Sequence, residues 1–459
     1  MGGLNTSLLT GMEALDATQA ALNATSNNIA NANTAGYTRE VAQLSENQEE
    51  LNGGNVTGGG VSLDGIESVR DELLNLQIQQ QTSLQSGADT ESSSLQSIQT
   101  LFSSTGEDIA STLSAFSSSL SQLSANPSSS ASQESVLTAG QNLAQSFNST
   151  ANGLTSAQTA ADQQVTSTVA QINSLTQQIA QLNAQLSPTV VSQQNGGTIE
   201  DQRDQLVQQL STLTGISVSQ SSDGEVITTG NGTPLVMGGQ SFNLQTTTGS
   251  NGFQQVLDSN GNNITSAIQG GQLGGSIQIR DQVIPGFLSS LNTLASQFAT
   301  AFNAAQAKGY DSSGNAGQNF FSVPSGATGA AAGISVAITS GSQVAVSSDG
   351  SSGSNGNVAN LSAALTSALP SGQSVTNAYS NLVYQVGSAA SNASDTSSAL
   401  SQNILQLTNQ QSSVSGVNID EETTNLIRYQ TAYEAAARIV STIQALNTVT
   451  LDMGSTQSY

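Results

Sequence analysis

Three patterns in the sequence predict an α+β multidomain fold with paired terminal coiled-coil-like helices, a long antiparallel helical bundle and an inserted mostly-β domain. Apolar residues recur at every seventh position near both ends of the chain, and seven residues are close to two helical turns. Apolar spacings of three and four dominate from Arg70 to Leu186. Between Ile216 and Ile279 the spacing falls to two, which is the period of a strand.

The terminal repeats place one apolar stripe along one side of each end helix. The first stripe contains Leu8, Leu15, Leu22 and Ile29, and the second contains Ile419, Leu426, Tyr433 and Val440. Because each stripe needs an apolar surface to pack against, the simplest arrangement pairs the two ends with each other. The middle of the chain then projects from this pair as a long hairpin.

The middle of the chain alternates between helical and β-type patterns. The clearest helical run lies between Val165 and Leu186, and further helices are expected over 198–213 and 281–307. In the β-type region, Asn-Gly pairs such as Asn231-Gly232 tolerate the positive φ of tight hairpin turns. The predicted domains are the paired terminal helices as an axial core domain (1–45 with 415–459), the helical bundle domain (46–215 with 281–310 and 357–414) and the β-rich outer domain (216–280 with 311–356).

Composition argues against several classes of function. The chain has 7 basic and 31 acidic residues and a formal charge of −24, which disfavours nucleic acid and anionic lipid as partners. It contains neither Cys nor His, so thiolate chemistry, disulfides and the commonest general base and metal ligand are all excluded. We therefore expect no enzyme, no cofactor and no metal site. The sequence also shows neither a secretory signal peptide nor an apolar run of about 18 residues.

One acidic segment superficially resembles a calcium-binding loop. It is Asp258-Ser259-Asn260-Gly261-Asn262, and it lacks the glutamate that would bind calcium with both oxygens. A tight turn is therefore the better prediction for this segment.

Both ends of the chain carry polar residues that ordinary helix chemistry does not explain. Asn27, Asn28, Asn31 and Asn33 are poor helix formers that lie close together, and Gly36 follows where a left-handed helix cap belongs. At the other end, three acids from Asp420 begin a helix, where carboxylates favour the positive end of the helix dipole. Arg428 and Arg438 are expected to meet carboxylates or amides of a neighbouring subunit, with a plain surface position as the alternative.

The asparagine-rich run NNIANANTAGYTR at 27–39 resembles the N-terminal signature of the axial proteins of the bacterial flagellum, which are the rod, hook and hook-associated proteins. The tail GVNIDEETTNLIRYQTAYEAAARIVSTIQALNTVTLDM at 416–453 resembles the C-terminal signature of the same family. The internal run TIEDQRDQLVQQLSTLTGI at 198–216 resembles a segment that is typical of its hook-associated members.

This resemblance implies a structural protein whose terminal helices pack as the innermost layer of a tube. It implies a junction that joins hook to filament by helical stacking of subunits. The implied partners are hook protein, a filament-side hook-associated protein or flagellin, further copies of the chain in a helical ring, and an export chaperone on the C-terminal helix. The implied location is the extracellular flagellum, reached through the flagellar type III channel without a cleaved signal peptide.

The predicted assembly interface combines the two stripes with the signature residues. It contains Leu8, Leu15, Leu22, Asn27, Asn28, Ile29, Asn31, Asn33, Gly36, Tyr37, Ile419, Leu426, Arg428, Tyr429, Tyr433, Arg438, Val440 and Ile443. Two alternatives stay open at this point. A hook or distal rod protein would carry the same signatures but a mostly-β middle, which the helical block 70–215 disfavours, and a surface adhesin-like binding module would use the β region.

Overall fold

The computed structural model describes residues 2–48, 50–52, 55–103, 108–186, 196–221, 224–324 and 328–455, and within them long helices predominate. The α-helices are α1 (Gly2–Asn31), α2 (Glu72–Phe102), α3 (Ile109–Ala125), α4 (Ser130–Leu186), α5 (Gly196–Leu213), α6 (Gly271–Gln278), α7 (Ile284–Gln306), α8 (Ala330–Gly333), α9 (Val358–Thr366), α10 (Val375–Ser415) and α11 (Ile419–Ser455). The α4 helix has 57 residues, so it is about 85 Å long at 1.5 Å per residue.

Several helices begin at the residues whose side chains cap them. Asp71 accepts a hydrogen bond from the Leu74 backbone N–H at the start of α2, and Ser374 does the same for Asn377 at the start of α10. Within the described residues, no helix is both long enough and apolar enough to cross a lipid bilayer.

The strands are short and antiparallel. They are β1 (Glu40–Glu46), β2 (Glu50–Asn52), β3 (Asn55–Thr57), β4 (Val61–Ser68), β5 (Ile216–Ser221), β6 (Gly224–Thr229), β7 (Pro234–Met237), β8 (Gln240–Ser241), β9 (Gln245–Thr248), β10 (Gln254–Leu257), β11 (Phe321–Ser322) and β12 (Ser335–Val336). Strands β5 to β8 form one four-stranded meander, and β1 pairs with β4 to form a hairpin that follows α1.

Two separate hydrophobic cores hold these elements together. The body core lies between α2, α3, the first part of α4, α7, α9 and α10, and it is filled by phenylalanines such as Phe116 and Phe302. The sheet core lies between the second part of α4, α5, α6 and the meander, and it includes Val165, Val207 and Leu235. The α4 helix therefore runs through both cores and aligns them.

Arg280 ties the two cores together at a π-helical turn, Ile279–Val283, between α6 and α7. Its side chain is buried and forms ion pairs with Asp162 on α4 and with Asp281, at 2.7 and 2.8 Å. It also donates a hydrogen bond to the Gln254 carbonyl oxygen at the start of β10. Because buried charges need complete pairing, this arginine fixes how the helix, the turn and the sheet meet.

The cores differ from the predicted domain grouping in two places. Phe320, Ile334 and Val344 lie in the body core, so this part of 311–356 packs with the helices rather than with 216–280. Conversely, Val165 and Val207, from the stretch assigned to the bundle, lie in the sheet core. Strands β11 and β12 have only two residues each, so they show no hydrophobic period that would indicate which core they join.

Candidate assembly interface

The helices α1 and α11 pack against each other, and both bury small side chains. Ala17, Ala21 and Ala24 of α1 are buried, as are Ala436 and Ile443 of α11. A Cβ atom added to Gly11 would lie only 2.9 Å from Val440 Cγ2, so the two helices approach closely. Small residues at spacings of three and four allow such an approach, because helix separation depends on the side chains at the contact.

The predicted seven-residue stripes run along the same two helices, and Val440, which faces Gly11, belongs to the second stripe. In α1, the side chains of Leu8, Leu15, Leu22 and Ile29 are half-buried. In α11, Leu426, Tyr429, Tyr433 and Val440 are half-buried, and Ile419 is exposed.

Part of the surface of α11 that α1 leaves exposed is also apolar. Its exposed large side chains are Ile427, Ile439, Leu446 and Val449, and α1 adds Leu9 and Met12. Exposed apolar side chains aligned along one helix are typical of a protein–protein contact.

Of the four signature asparagines, Asn28 holds the end of α1 to the following strand. It is 1% exposed, its Nδ2 donates to the Glu40 carbonyl oxygen at 2.8 Å, and its Oδ1 accepts from the Glu40 N–H and the Tyr37 hydroxyl at 2.8 and 2.9 Å. Burial raises the pKa of Tyr37, and the nearby Glu40 carboxylate adds to that rise, so the hydroxyl stays a donor. By contrast, Asn27 and Asn33 are exposed, and Asn31 is half-buried and donates to the Asn27 carbonyl oxygen.

The loop after α1 docks on α5, which brings together two motifs that the sequence analysis treated separately. The Thr38 N–H donates to Asp201 Oδ2 at 3.0 Å, and Gln205 Nε2 donates to the Ala35 carbonyl oxygen at 3.0 Å. Gly36 has φ +78°, and a Cβ there would lie 2.3 Å from Gln205 Nε2. The predicted Gly36 and Tyr37 therefore lie in a loop whose partners, Asp201 and Gln205, were not predicted as site residues.

Arg70, which follows β4, also holds the hairpin to α5. It lies at the open end of the β1–β4 hairpin, where Glu40 pairs with Ser68. Its guanidinium forms ion pairs with Asp201 at 2.6 Å and with Asp204 at 2.8 Å, and it donates to the Gly197 carbonyl oxygen at 3.2 Å. Burial raises the pKa of Asp201, while the Thr38 hydrogen bonds and the charge of Arg70 act in the opposite direction. Asp201 and Asp204 thus anchor α5 to the residues that precede β1 and to those that follow β4.

The charged residues of α11 differ in their surroundings. Glu421 in the first turn pairs with Arg39 at 3.2 Å, and Glu422 is buried. The Arg428 guanidinium lies 4.9 Å from the centre of the Tyr429 ring and donates to its hydroxyl. In the described part of the chain neither Arg428 nor Arg438 forms an ion pair, and their contact with a neighbouring subunit stays a prediction.

The Asp258 segment forms the tight turn that the sequence predicts. The Asp258 carboxylate accepts hydrogen bonds from the Asn260 and Asn262 N–H groups and from the Asn262 side chain, and these hold its pKa below the usual range. Gly261 in the same turn has φ +84°. Across the described ranges, no group of three or more acidic side chains is arranged to hold a metal ion.

Comparison with known protein families shows that the chain is a flagellar structural protein. Residues 8–38 match the family described as flagella basal body rod protein, and residues 409–453 match the flagellar basal body rod FlgEFG protein C-terminal family. Residues 95–321 match the helical domain of flagellar hook-associated protein FlgK.

Individual relatives match along almost the whole chain. Flagellar hook-associated protein 1 of Bacillus subtilis (strain 168) is 31% identical over 484 residues, covering 95% of each chain. The protein of the same name from Salmonella typhimurium is 28% identical over 537 residues, covering 95% of this chain and 97% of its own. This chain belongs to the flagellar hook-associated protein 1 family.

A solved structure shares the fold. The flagellar hook junction protein FlgK from Burkholderia pseudomallei superposes with a TM-score of 0.66 at 19% identity, and the match covers 74% of this chain and all of that one. Together these similarities assign the chain to the flagellum, as a structural protein that interacts with other flagellar axial proteins.

Proposed function

We propose that this protein joins the hook to the filament, by stacking in a helical ring through α1 and α11. The observation that carries this proposal is the exposed apolar surface of α11, on which Ile427 and Val449 are 59% and 53% exposed although α1 already covers another side of the helix. Such a helix buries its second apolar face when further copies pack around it. The names of the relatives, hook-associated and hook junction protein, support the same function.

The assembled arrangement that we propose puts the terminal helix pair, 1–45 with 415–459, on the inside of a tube and the remaining domains outside it. The residues predicted for the assembly interface, from Leu8 to Ile443, then contact the same region of neighbouring copies. Hook protein lies on one side of the ring, and a filament-side hook-associated protein or flagellin lies on the other. Stacking and folding, rather than catalysis, perform this function.

Before assembly, the outer face of α11 needs a cover, because exposed aligned apolar side chains promote non-specific association. We propose that an export chaperone binds this C-terminal helix and that the protein travels through the flagellar type III channel without a cleaved signal. The chaperone then leaves when neighbouring copies replace it on the same face.

The test is a strain from which the gene is deleted, imaged by electron microscopy. The expected result is cells with hooks but without filaments, with flagellin released into the medium, and a plasmid copy of the gene restores filaments. Loss of the hook itself would instead indicate a hook or distal rod protein. Normal filaments on normal hooks would contradict the proposal and favour a separate role such as surface binding by the β region.

A further inference from the structure

Asn-Gly pairs are the places where a protein chain most readily modifies itself without an enzyme. The Gly nitrogen, which no neighbouring Cβ atom shields, can attack the Asn Cγ atom and close a five-membered succinimide ring. Within the described residues these pairs begin at Asn152, Asn231, Asn251, Asn260 and Asn355. The Asn residue of each pair is exposed, so contact with water does not distinguish the pairs.

The hydrogen bonds of the Gly nitrogen do distinguish them. In three tight turns this N–H already donates to the carbonyl oxygen three residues earlier, in the pairs Gly232 to Thr229, Gly252 to Gly249 and Gly261 to Asp258, at 2.8, 3.0 and 3.0 Å. Gly153 lies inside α4, where helical hydrogen bonds engage the backbone nitrogens. Because the nitrogen must lose its proton before it attacks, each of these N–H groups has to break a hydrogen bond first.

The pair Asn355-Gly356, just before α9, differs from the other described pairs. The Gly356 N–H donates to no atom among the described residues, and Gly356 is itself exposed. Asn355 Nδ2 donates to the Ser124 carbonyl oxygen at 2.8 Å, near the end of α3, and the Asn355 carbonyl oxygen accepts from the Val358 N–H at 3.0 Å. The nitrogen that attacks is therefore free, and the side chain that it attacks is exposed.

We propose that Asn355 is a site of spontaneous modification, at which the chain converts this asparagine to aspartate or isoaspartate. The Gly356 nitrogen loses its proton to hydroxide and bonds to Asn355 Cγ, while the bond from Cγ to Nδ2 breaks and the amide nitrogen takes a proton from water and leaves as ammonia. A water molecule then opens the succinimide ring. Breaking the new bond from Cγ to the Gly356 nitrogen gives aspartate, and breaking the original peptide bond gives isoaspartate.

The net reaction consumes one water molecule and releases one ammonia molecule, so it needs no enzyme and no oxidant or reductant. The inference goes beyond the proposed function and does not depend on it, because the reaction involves only this loop and water.

The product changes how α9 is attached to α3. A carboxylate does not donate, so the hydrogen bond to the Ser124 carbonyl oxygen is lost. Isoaspartate also carries the main chain through Cγ, so the carbonyl group that accepts from the Val358 N–H leaves the main chain. Since Val358 is buried in the body core, we expect faster amide exchange at Val358 in the modified chain.

The experiment incubates the full chain at mildly alkaline pH and measures each Asn-Gly site by peptide mass spectrometry, after digestion in acid, where ring closure is slow. Conversion appears as the mass difference between a hydroxyl and an amino group, and isoaspartate is counted by methylation with isoaspartyl methyltransferase. Asn355 should convert roughly tenfold faster than the asparagines of the three tight turns, because its Gly nitrogen has no hydrogen bond to break. In urea, where the turns unfold, these four sites should convert at comparable rates.

Two variants test the cause of the difference. Asn355→Gln would need a six-membered ring, which closes far more slowly, so it should abolish the mass change at this position and leave the other sites unchanged. Asp258→Ala removes the carboxylate that accepts three hydrogen bonds from Asn260 and Asn262, and it thereby loosens the turn that holds the Gly261 N–H. Conversion of Asn260 should then accelerate towards that of Asn355.

Equal conversion of Asn355 and Asn260 in the folded, unchanged chain would overturn the inference. So would the same ratio of rates in the folded and the unfolded chain, because the local sequence rather than the hydrogen bonds would then set the rates. Unchanged conversion of Asn260 in Asp258→Ala would contradict the inference as well.

Discussion

In the body core, phenylalanines pack face to edge against one another, whereas the buried apolar residues described in α1 are alanines. Phe302 lies 5.1 Å from Phe320 and 5.5 Å from Phe321 between ring centroids, and all three rings are buried. Each buried aromatic ring removes about 150–250 Å² from water, far more than an alanine methyl does. The body thus buries its large apolar side chains within one chain, while several large apolar side chains of the terminal pair stay exposed.

Under the proposed function, this difference explains how one chain can be both a stable subunit and a component that stacks with further copies. A subunit with all its apolar surface buried has no reason to associate, and a subunit with all of it exposed would aggregate. Here several exposed apolar side chains, among them Ile427 and Leu446, lie along α11, and neither core contains a described residue of that helix. The stability of the body and the association of the ends can therefore change independently, and four substitutions test this.

The largest effect is expected in the body core. Phe302→Ala removes a fully buried ring from the phenylalanine cluster, and the lost transfer free energy plus the cavity should lower the free energy of unfolding by about 3–5 kcal/mol. Urea unfolding followed by circular dichroism measures this loss. The matched control is Tyr384→Ala on α10, where the ring is 73% exposed and the change should stay within about 0.5 kcal/mol. Similar losses for both variants would show that the phenylalanine cluster is not the stabilising centre of the body.

The next largest effect is expected at the joint between α1 and β1. Asn28→Ala leaves the Glu40 N–H, the Glu40 carbonyl and the Tyr37 hydroxyl without their partner, at a local cost of about 2–3 kcal/mol. Amide hydrogen exchange at Glu40 should accelerate roughly 30- to 150-fold. Asn27→Ala changes the preceding, exposed asparagine and should leave this exchange rate within about twofold. An unchanged rate in Asn28→Ala would mean that other contacts hold the strand.

The sequence indicated that the asparagine-rich run at 27–39 is unusual for a helix, but it could not indicate which of its asparagines is buried. Helical period places Asn28 on the same face as Ala17, Ala21 and Ala24, yet the large apolar residues point to a different stripe. Both faces of each terminal helix are apolar, so periodicity alone does not distinguish the seam within one chain from the surface for neighbouring copies. Local patterns such as the Asp258 turn were predictable, because their hydrogen bonds lie within five residues.

The docking of Thr38 on Asp201 was not predictable, because it joins residues that lie 163 positions apart. No local propensity encodes such a contact, and the sequence analysis marked both segments only through their resemblance to the same family. The two-residue strand β11 was equally uninformative, since Phe321 fits either core by hydrophobicity alone. Long helices and turn dipeptides were therefore the predictable part of this fold, and the contacts that orient them were not.

A smaller effect is expected where α5 meets the meander. Burial raises the pKa of Glu225 from 4.5 to about 6, although Arg203 pairs with it at 2.8 Å and opposes the rise. Because the folded state then binds this proton more tightly than the unfolded chain does, Glu225 destabilises the fold above pH 6. That destabilisation disappears as the pH falls from 6 to 4.5, and it amounts to about 2 kcal/mol.

The measurement compares the chain with Glu225→Gln, in which this group no longer titrates. The free energy of unfolding of the variant, relative to that of the unchanged chain, should fall by about 2 kcal/mol between pH 7 and pH 4.5. A constant difference across the range would show that the Glu225 carboxylate is hydrated in solution.

The smallest effect on folding, and a large one on assembly, is expected on the outer face of α11. Ile439 and Ile443 are the same residue type one helical turn apart, with exposures of 54% and 8%. Ile443→Ser places a hydroxyl group at a buried position of α11, and it should accelerate amide exchange along α1 and α11. Ile439→Ser should leave the amide exchange rates unchanged. The free energy of unfolding of the monomer should stay within about 0.5 kcal/mol of the unchanged value, because the side chain is already 54% exposed.

In the deletion strain, however, both variants should fail to restore filaments, since each removes apolar surface that is buried in the assembled ring. Ile439→Ser thereby distinguishes association from folding, because the variant should lose the association of the terminal helices while the chain still folds. Full filaments with Ile439→Ser would mean that the outer face of α11 stays in water after assembly, and the apolar surface that joins the copies would then have to be sought elsewhere on the chain.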